Sequence, residues 1–92
     1  LFLSNLDNVP LKHKQLGLVF GVGVPPMRID WKTAEIDKVI EDGIERANNH
    51  MIERAEKMGA DAILKIYYEK ETSELGVRIM AWGTAIQYLK VQ

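Results

Sequence analysis

Two residues near the end of a long helical pattern, His50 and Arg54, are the strongest candidates for chemistry in this 92-residue sequence. At 100° per residue, His50 falls between Val39 and Gly43 and Arg54 falls near Ile36. Both therefore project from the apolar side of the helix, one turn apart. An imidazole and a guanidinium in that setting could form a polar pocket, at a subunit seam, for an anionic small molecule. The plainer role is structural. Arg54 would run its stem past the sheet edge or pair with an acid, and His50 would cap an interface. The structural role is the stronger expectation.

Other constellations are thinner. His50 and Glu53 stand three apart, a helix spacing that carboxylate-rich metal sites use. A complete site needs more ligands, from Asp30 or from a neighbouring subunit, and most such pairs are ordinary surface pairs. The sequence has no cysteine, which removes thiolate metal sites, disulfides and cysteine nucleophiles together. His13 and His50 are its two imidazoles. Gly21-Val22-Gly23-Val24 has no Lys-Ser/Thr after it and runs into Pro25-Pro26, so strand termination explains it better than a phosphate loop. Ser4 and Ser73 sit in turn-like settings without a nucleophile motif. No catalytic residue, metal ligand or cofactor is assigned, and an enzyme is not expected.

Trp31, Trp82, Tyr67 and Tyr68 could stack on bases, but the surface for a polyanion is missing. Net charge is −1, and Lys12-His13-Lys14 is one short basic cluster, the polar tip of a loop or strand. Nucleic acid is therefore not an expected partner, and the aromatics go to core and interface. No apolar run approaches membrane-spanning length, and the chain, which opens at Leu1, shows no charged-then-apolar leader. A soluble cytoplasmic protein without a membrane partner is the expectation.

The elements that must position His50 and Arg54 follow from periodicity. At 47% hydrophobic and 27% charged, residues 1–92 read as one globular domain. Leu1 to Leu6 could form a short first strand. Leu16 to Val24 is a firm one, with Leu16, Leu18, Phe20, Val22 and Val24 on one face and Gly17, Val19, Gly21 and Gly23 on the other. Three glycines on one face predict close backbone approach or a bulge. A helix is expected from about Thr33 to Met58, about 39 Å long. Its stripe comprises Ile36, Val39, Ile40, Gly43, Ile44, Ala47, Met51, Ala55 and Met58, and Gly59 stops it. Gly43 suggests a tight packing contact.

Ala62 to Glu69 alternates as a strand, with Ala62, Leu64, Ile66 and Tyr68 on one face. Glu71 to Glu74 reads as a polar turn, and a long strand runs from Val77 to Lys90, in which Gly83 could mark a bulge. The fold class is α+β: a two-layer β-α-β-β subunit, one long helix on a small mixed sheet, with an extra N-terminal strand allowed. The helical crossover implies a parallel pair, and the last two strands an antiparallel hairpin. One helix covers one sheet face. Yet Met80, Trp82 and Ile86 on one side, and Val77, Ile79 and Ala81 on the other, both read as buried. The second cover is expected from another copy of the chain, ahead of the N-terminal segment folding over it.

Three stretches resemble the YbjQ-like family of small bacterial and archaeal proteins. They are Leu16-Gly17-Leu18-Val19-x-Gly21, Met58-Gly59-Ala60-Asp61-Ala62 followed by Ile63-Leu64, and Gly83-Thr84-Ala85. The segment from Val22 to Lys32 is shorter than the connection usual in that family. The resemblance implies a ring-shaped homo-oligomer, plausibly a pentamer, with strands completed between neighbours. It also implies kinship with proteins described as heavy-metal-binding domains of otherwise undefined function. The expected role is a non-enzymatic homo-oligomeric assembly or partner-binding module. The alternative is a small-ligand or metal carrier with its site at the subunit interface around His50 and Arg54.

Overall fold

The apolar stripe between the two strand regions becomes helix α1, Ile36–Lys57, which is 22 residues or about 33 Å long. The computed structural model describes residues 1–4, 6, 11–25, 36–73 and 76–89, so the expected first turn of this helix, and Pro26 and Trp31, lie outside the described residues. Val39, Ala47, Met51 and Ala55 are buried in the core, with Ile40, Ile44 and Ile52 packed beside them. The helix ends as the sequence predicts. Gly59 takes φ +80°, its N–H donates to the Glu56 carbonyl, and the Ala60 N–H donates back to the Ala55 carbonyl. That double closure satisfies carbonyls which the last turn would otherwise leave bare.

Among the described residues four strands form one mixed sheet: β1 (Phe2–Leu3), β2 (His13–Gly23), β3 (Ala62–Ser73) and β4 (Gly76–Tyr88), in the order β1-β3-β4-β2. The allowed N-terminal strand is real but short, and it runs parallel to β3, pairing Leu3 with Ile63. The helical crossover does not join hydrogen-bonded neighbours, which corrects the expected parallel pair. β4 lies between β2 and β3, antiparallel to both, so those two strands point the same way without touching. The polar turn also moves. Glu71 and Thr72 belong to the ladder, opposite Arg78 and Val77, and Glu71 forms a cross-strand ion pair with Arg78.

The expected bulge exists, but not in β4. One extra residue enters β2 between Gln15 and Gly17, and another enters β3 between Leu64 and Tyr67, while β4 keeps its alternation throughout. At the first, Gly17 has φ +141°, and Leu16 turns into the core instead of sharing a face with Leu18. At the second, Lys65 holds φ +56°, a conformation costing about 1 kcal/mol for a residue with a Cβ. Its N–H donates to the Leu6 carbonyl. Beyond that point β3 exchanges faces. Tyr67, not Tyr68, lies beside Trp82, and Tyr68 turns to the helix side, where its hydroxyl donates to Asn48 Oδ1 at 2.9 Å.

The helix lies on the face formed by Val19, Ile63, Val77, Ile79, Ala81 and Ala85. The glycines of β2 do what their spacing predicts. A Cβ on Gly21 would collide with the Ala47 carbonyl and the Met51 backbone, and one on Gly23 with the Gly43 carbonyl. The backbones of strand and helix are in direct contact there. Gly43 is tight as well, since a Cβ would meet Ile79 Cγ1 at 2.7 Å and Pro25 Cδ at 3.3 Å.

Candidate functional site

β2 lies at the margin of the sheet, so among the described residues one row of its backbone groups has no strand beside it. Into this margin α1 lowers His50 and, one turn later, Arg54. The Val22 N–H, turned away from β4, donates to His50 Nδ1 at 3.0 Å. A ring nitrogen that accepts carries no proton, so His50 is the neutral tautomer protonated at Nε2. In an antiparallel pair alternate residues turn both backbone groups outward, which places Phe20 and Leu18 in the same outward row as Val22.

Arg54 passes the same margin. Its guanidinium carbon lies 4.4 Å from the ring centroid of Phe20, whose side chain belongs to the face opposite the helix. A cation on an aromatic face at this distance contributes about 0.5–1 kcal/mol at a half-open site. Among the described residues no carboxylate pairs with Arg54. The structure thus brings the two sequence-predicted residues together, each engaged within its own subunit. An anion at this place would have to draw Arg54 off its ring.

Phe20 is the first member of a row across the open face. Directly opposite it on β4 is Trp82, with centroids 5.3 Å apart, and opposite that on β3 is Tyr67, stacked at 6.4 Å and 11°. Leu18 stands next to the row at 78% exposure, and Tyr67 is also exposed. Trp82 Nε1 is buried without a hydrogen-bond partner among the described residues. Further along the same face Ala62, Leu64 and Ile86 are buried in a small cluster of their own. The row is absent from the sequence pattern because the β3 bulge decides which tyrosine joins it.

Asp61 also escaped notice as anything beyond a helix-to-strand turn. Its N–H donates to the Ile86 carbonyl, and its Oδ2 accepts the Tyr88 N–H at 2.8 Å. The side chain therefore closes the end of the β3–β4 ladder, a reason for an acid at that place in Met58-Gly59-Ala60-Asp61-Ala62.

A soft heavy-metal ion is poorly served by these residues. Thiolates are missing from the sequence, and Met51 keeps its thioether fully buried in the core. The two imidazoles stand nine positions apart on or against β2, about 30 Å along an extended strand, too far to share an ion. His13 Nδ1 contacts the Leu11 carbonyl at 2.8 Å, and His50 Nδ1 holds Val22. Glu53, spaced to join His50, lies 3.6 Å from Lys57 instead. Among the described residues no three His, Asp or Glu side chains converge. The donor set does not fit the group.

No helix among the described residues is long and apolar enough to cross a membrane. The chain is 39% identical over 56 residues to a UPF0145 protein of the archaeon Methanosarcina acetivorans, a match covering 60% of this chain and 53% of that protein. The chain thus spans about half the length of that relative. Its fold is shared with the crystal structure of a protein of unknown function of the DUF74 family from Pediococcus pentosaceus. The TM-score is 0.78 at 16% identity, over 97% of this chain and 98% of that one. Neither name carries an enzymatic activity. The family model described as "Putative heavy-metal-binding", that of the YbjQ-like proteins, matches residues 31–89. This span takes in Met58 to Leu64 and Gly83 to Ala85 and leaves Leu16 to Gly21 outside it. With α1, β3, β4 and the Asp61 closure all inside the matched span, the chain belongs to the YbjQ-like family.

Proposed function

We propose that this chain is a non-enzymatic cytoplasmic module that assembles with copies of itself into a closed ring, pentameric on the family resemblance. The observation that carries this reading is the open face of the sheet, where Leu18, Phe20, Trp82 and Tyr67 form a contiguous apolar and aromatic surface opposite the helix. Surfaces of this kind are characteristic of protein interfaces. A second copy is the favoured occupant because the sheet has two unlike margins. Among the described residues β2 is open at one side, and at the other the N-terminal segment hydrogen-bonds β3 through Ser4 and Leu6 only as far as Ile66, which leaves the far half of β3 bare. Unlike margins on one subunit make head-to-tail contacts, and head-to-tail contacts close into rings when the rotation between copies allows. His50 and Arg54 then act as residues of that seam.

Native mass spectrometry of the purified chain tests this directly. The expected result is one discrete multiple of the subunit mass, five on the family resemblance, with no added mass. A monomer at micromolar concentration overturns the proposal. A ring with retained extra mass would replace it by the carrier alternative, a small molecule or metal held between subunits.

A further inference from the structure

We propose that His50 is a proton-operated latch on the outer margin of β2, and that its protonation opens this margin to strand addition. The proposal deepens the assembly reading and rests on it, because it concerns how the seam is regulated. Its basis is one hydrogen bond with one allowed protonation state. Val22 has a backbone N–H to give, so Nδ1 must accept. Once protonated, the imidazole has a donor on each nitrogen, and two donors face each other where one bond stood. The bond therefore exists only with a neutral ring. A second proton on the ring breaks it.

The surroundings are compatible with such a role. On α1 the charged neighbours at helical spacing are Arg46, Glu53 and Arg54. Arg46 is held by Asp42 at 2.8 Å and Glu53 pairs with Lys57, while Arg54 lies on Phe20. Around Val22, β2 carries Phe20, Gly21 and Gly23, none of which titrates, and Met80 faces Val22 from β4. Next along that face, Arg78 is engaged by Glu71 of β3. Among the described residues no carboxylate is bonded to His50, so no fixed anion stands ready to hold the imidazolium in place.

The consequence lies in the geometry of the margin. With the latch closed, the Val22 donor is consumed and the ring occupies the place of an incoming strand. The outward backbone groups of Leu18 and Phe20 are what the margin then offers. With the latch open, the Val22 N–H becomes free for a partner carbonyl, and pairing can extend by one more step of the ladder.

The test uses the 15N-labelled chain, followed by NMR from about pH 8 to about pH 5, the span in which imidazoles titrate. At the upper limit His50 is expected as the Nε2–H tautomer, with the Val22 amide protected from exchange. Protection of that one amide, relative to Gly21 and Gly23, falls by about tenfold as His50 protonates, the equilibrium worth of one ordinary hydrogen bond. In His50→Gln the side-chain oxygen still accepts but does not titrate, so protection stays constant. A Val22 amide that ignores the titration of His50, or a His50→Gln chain that shows the same fall, overturns the latch. Native mass spectrometry at both limits reads the consequence. A ring that survives greater dilution at the acid limit in the wild type and not in His50→Gln supports it, and equal behaviour of the two overturns it. A chain monomeric at the upper limit overturns the assembly reading instead, and the Val22 amide then decides the latch by itself.

Discussion

The two faces of the sheet differ less in composition than in the scale of their contacts. On the helix face, small residues let two backbones meet: Gly21 and Gly23 lie directly on the Ala47 and Gly43 carbonyls, and Ala81 and Ala85 are fully buried. On the open face, large side chains lie on one another, Phe20 on Trp82 and Trp82 on Tyr67, with Leu18 standing free. The first face leaves no room for another atom. The second remains accessible in the single subunit at Leu18, Phe20 and Tyr67, while Ala62, Leu64 and Ile86 farther along it are buried. Folding is the task of the first face, and contact is the task proposed for the second.

The comparison can be broken at its tightest point. Gly21→Val places a branched side chain against the Ala47 carbonyl, which cannot yield without moving the helix. The expected loss is about 4 kcal/mol or more, enough to abolish folding of a small domain. Urea unfolding followed by circular dichroism measures it, and a loss under about 1 kcal/mol would mean that helix and strand are not in backbone contact. Met51→Ala removes the largest fully buried side chain of the helix and is expected to cost about 3 kcal/mol in the same experiment. Leu18→Ser, on the open face, should change subunit stability by no more than about 0.5 kcal/mol. It is expected to lower the subunit number seen by native mass spectrometry. A reversal of the last two results, with Leu18 governing stability and Met51 governing assembly, would exchange the roles assigned to the faces.

Much of this was legible in the residues themselves. The stripe of α1 predicts Val39, Ala47, Met51 and Ala55 in the core because one period of 3.6 governs an uninterrupted helix. The glycines of β2 announce both the close approach, at Gly21 and Gly23, and the bulge, at Gly17. What alternation could not supply was the position of the bulges. A single extra residue at Lys65 or at Leu16 exchanges the faces of everything beyond it, and neither residue is an unusual one for a strand. Gly83, which drew suspicion, is the small residue opposite the β3 bulge: a Cβ there would collide with Ile63. His50 and Arg54 were recognisable as residues out of place on an apolar stripe. Their partners were not, since a backbone N–H leaves no trace in a sequence and Phe20 faces away from the helix that carries Arg54.

The paired bulges on either side of β4 bear on shape as well as on register. They flank neighbouring stretches of β4, at Gln15–Gly17 opposite Ile86–Ala85 and at Leu64–Tyr67 opposite Thr84–Trp82. Extra residues of this kind bend a strand and sharpen its coil. A flat plate laid beside its copies tiles into an endless ribbon, whereas a creased plate adds an angle with every copy. In the assembly proposed above, a bend from the two surplus residues would act for closure and against a fibre.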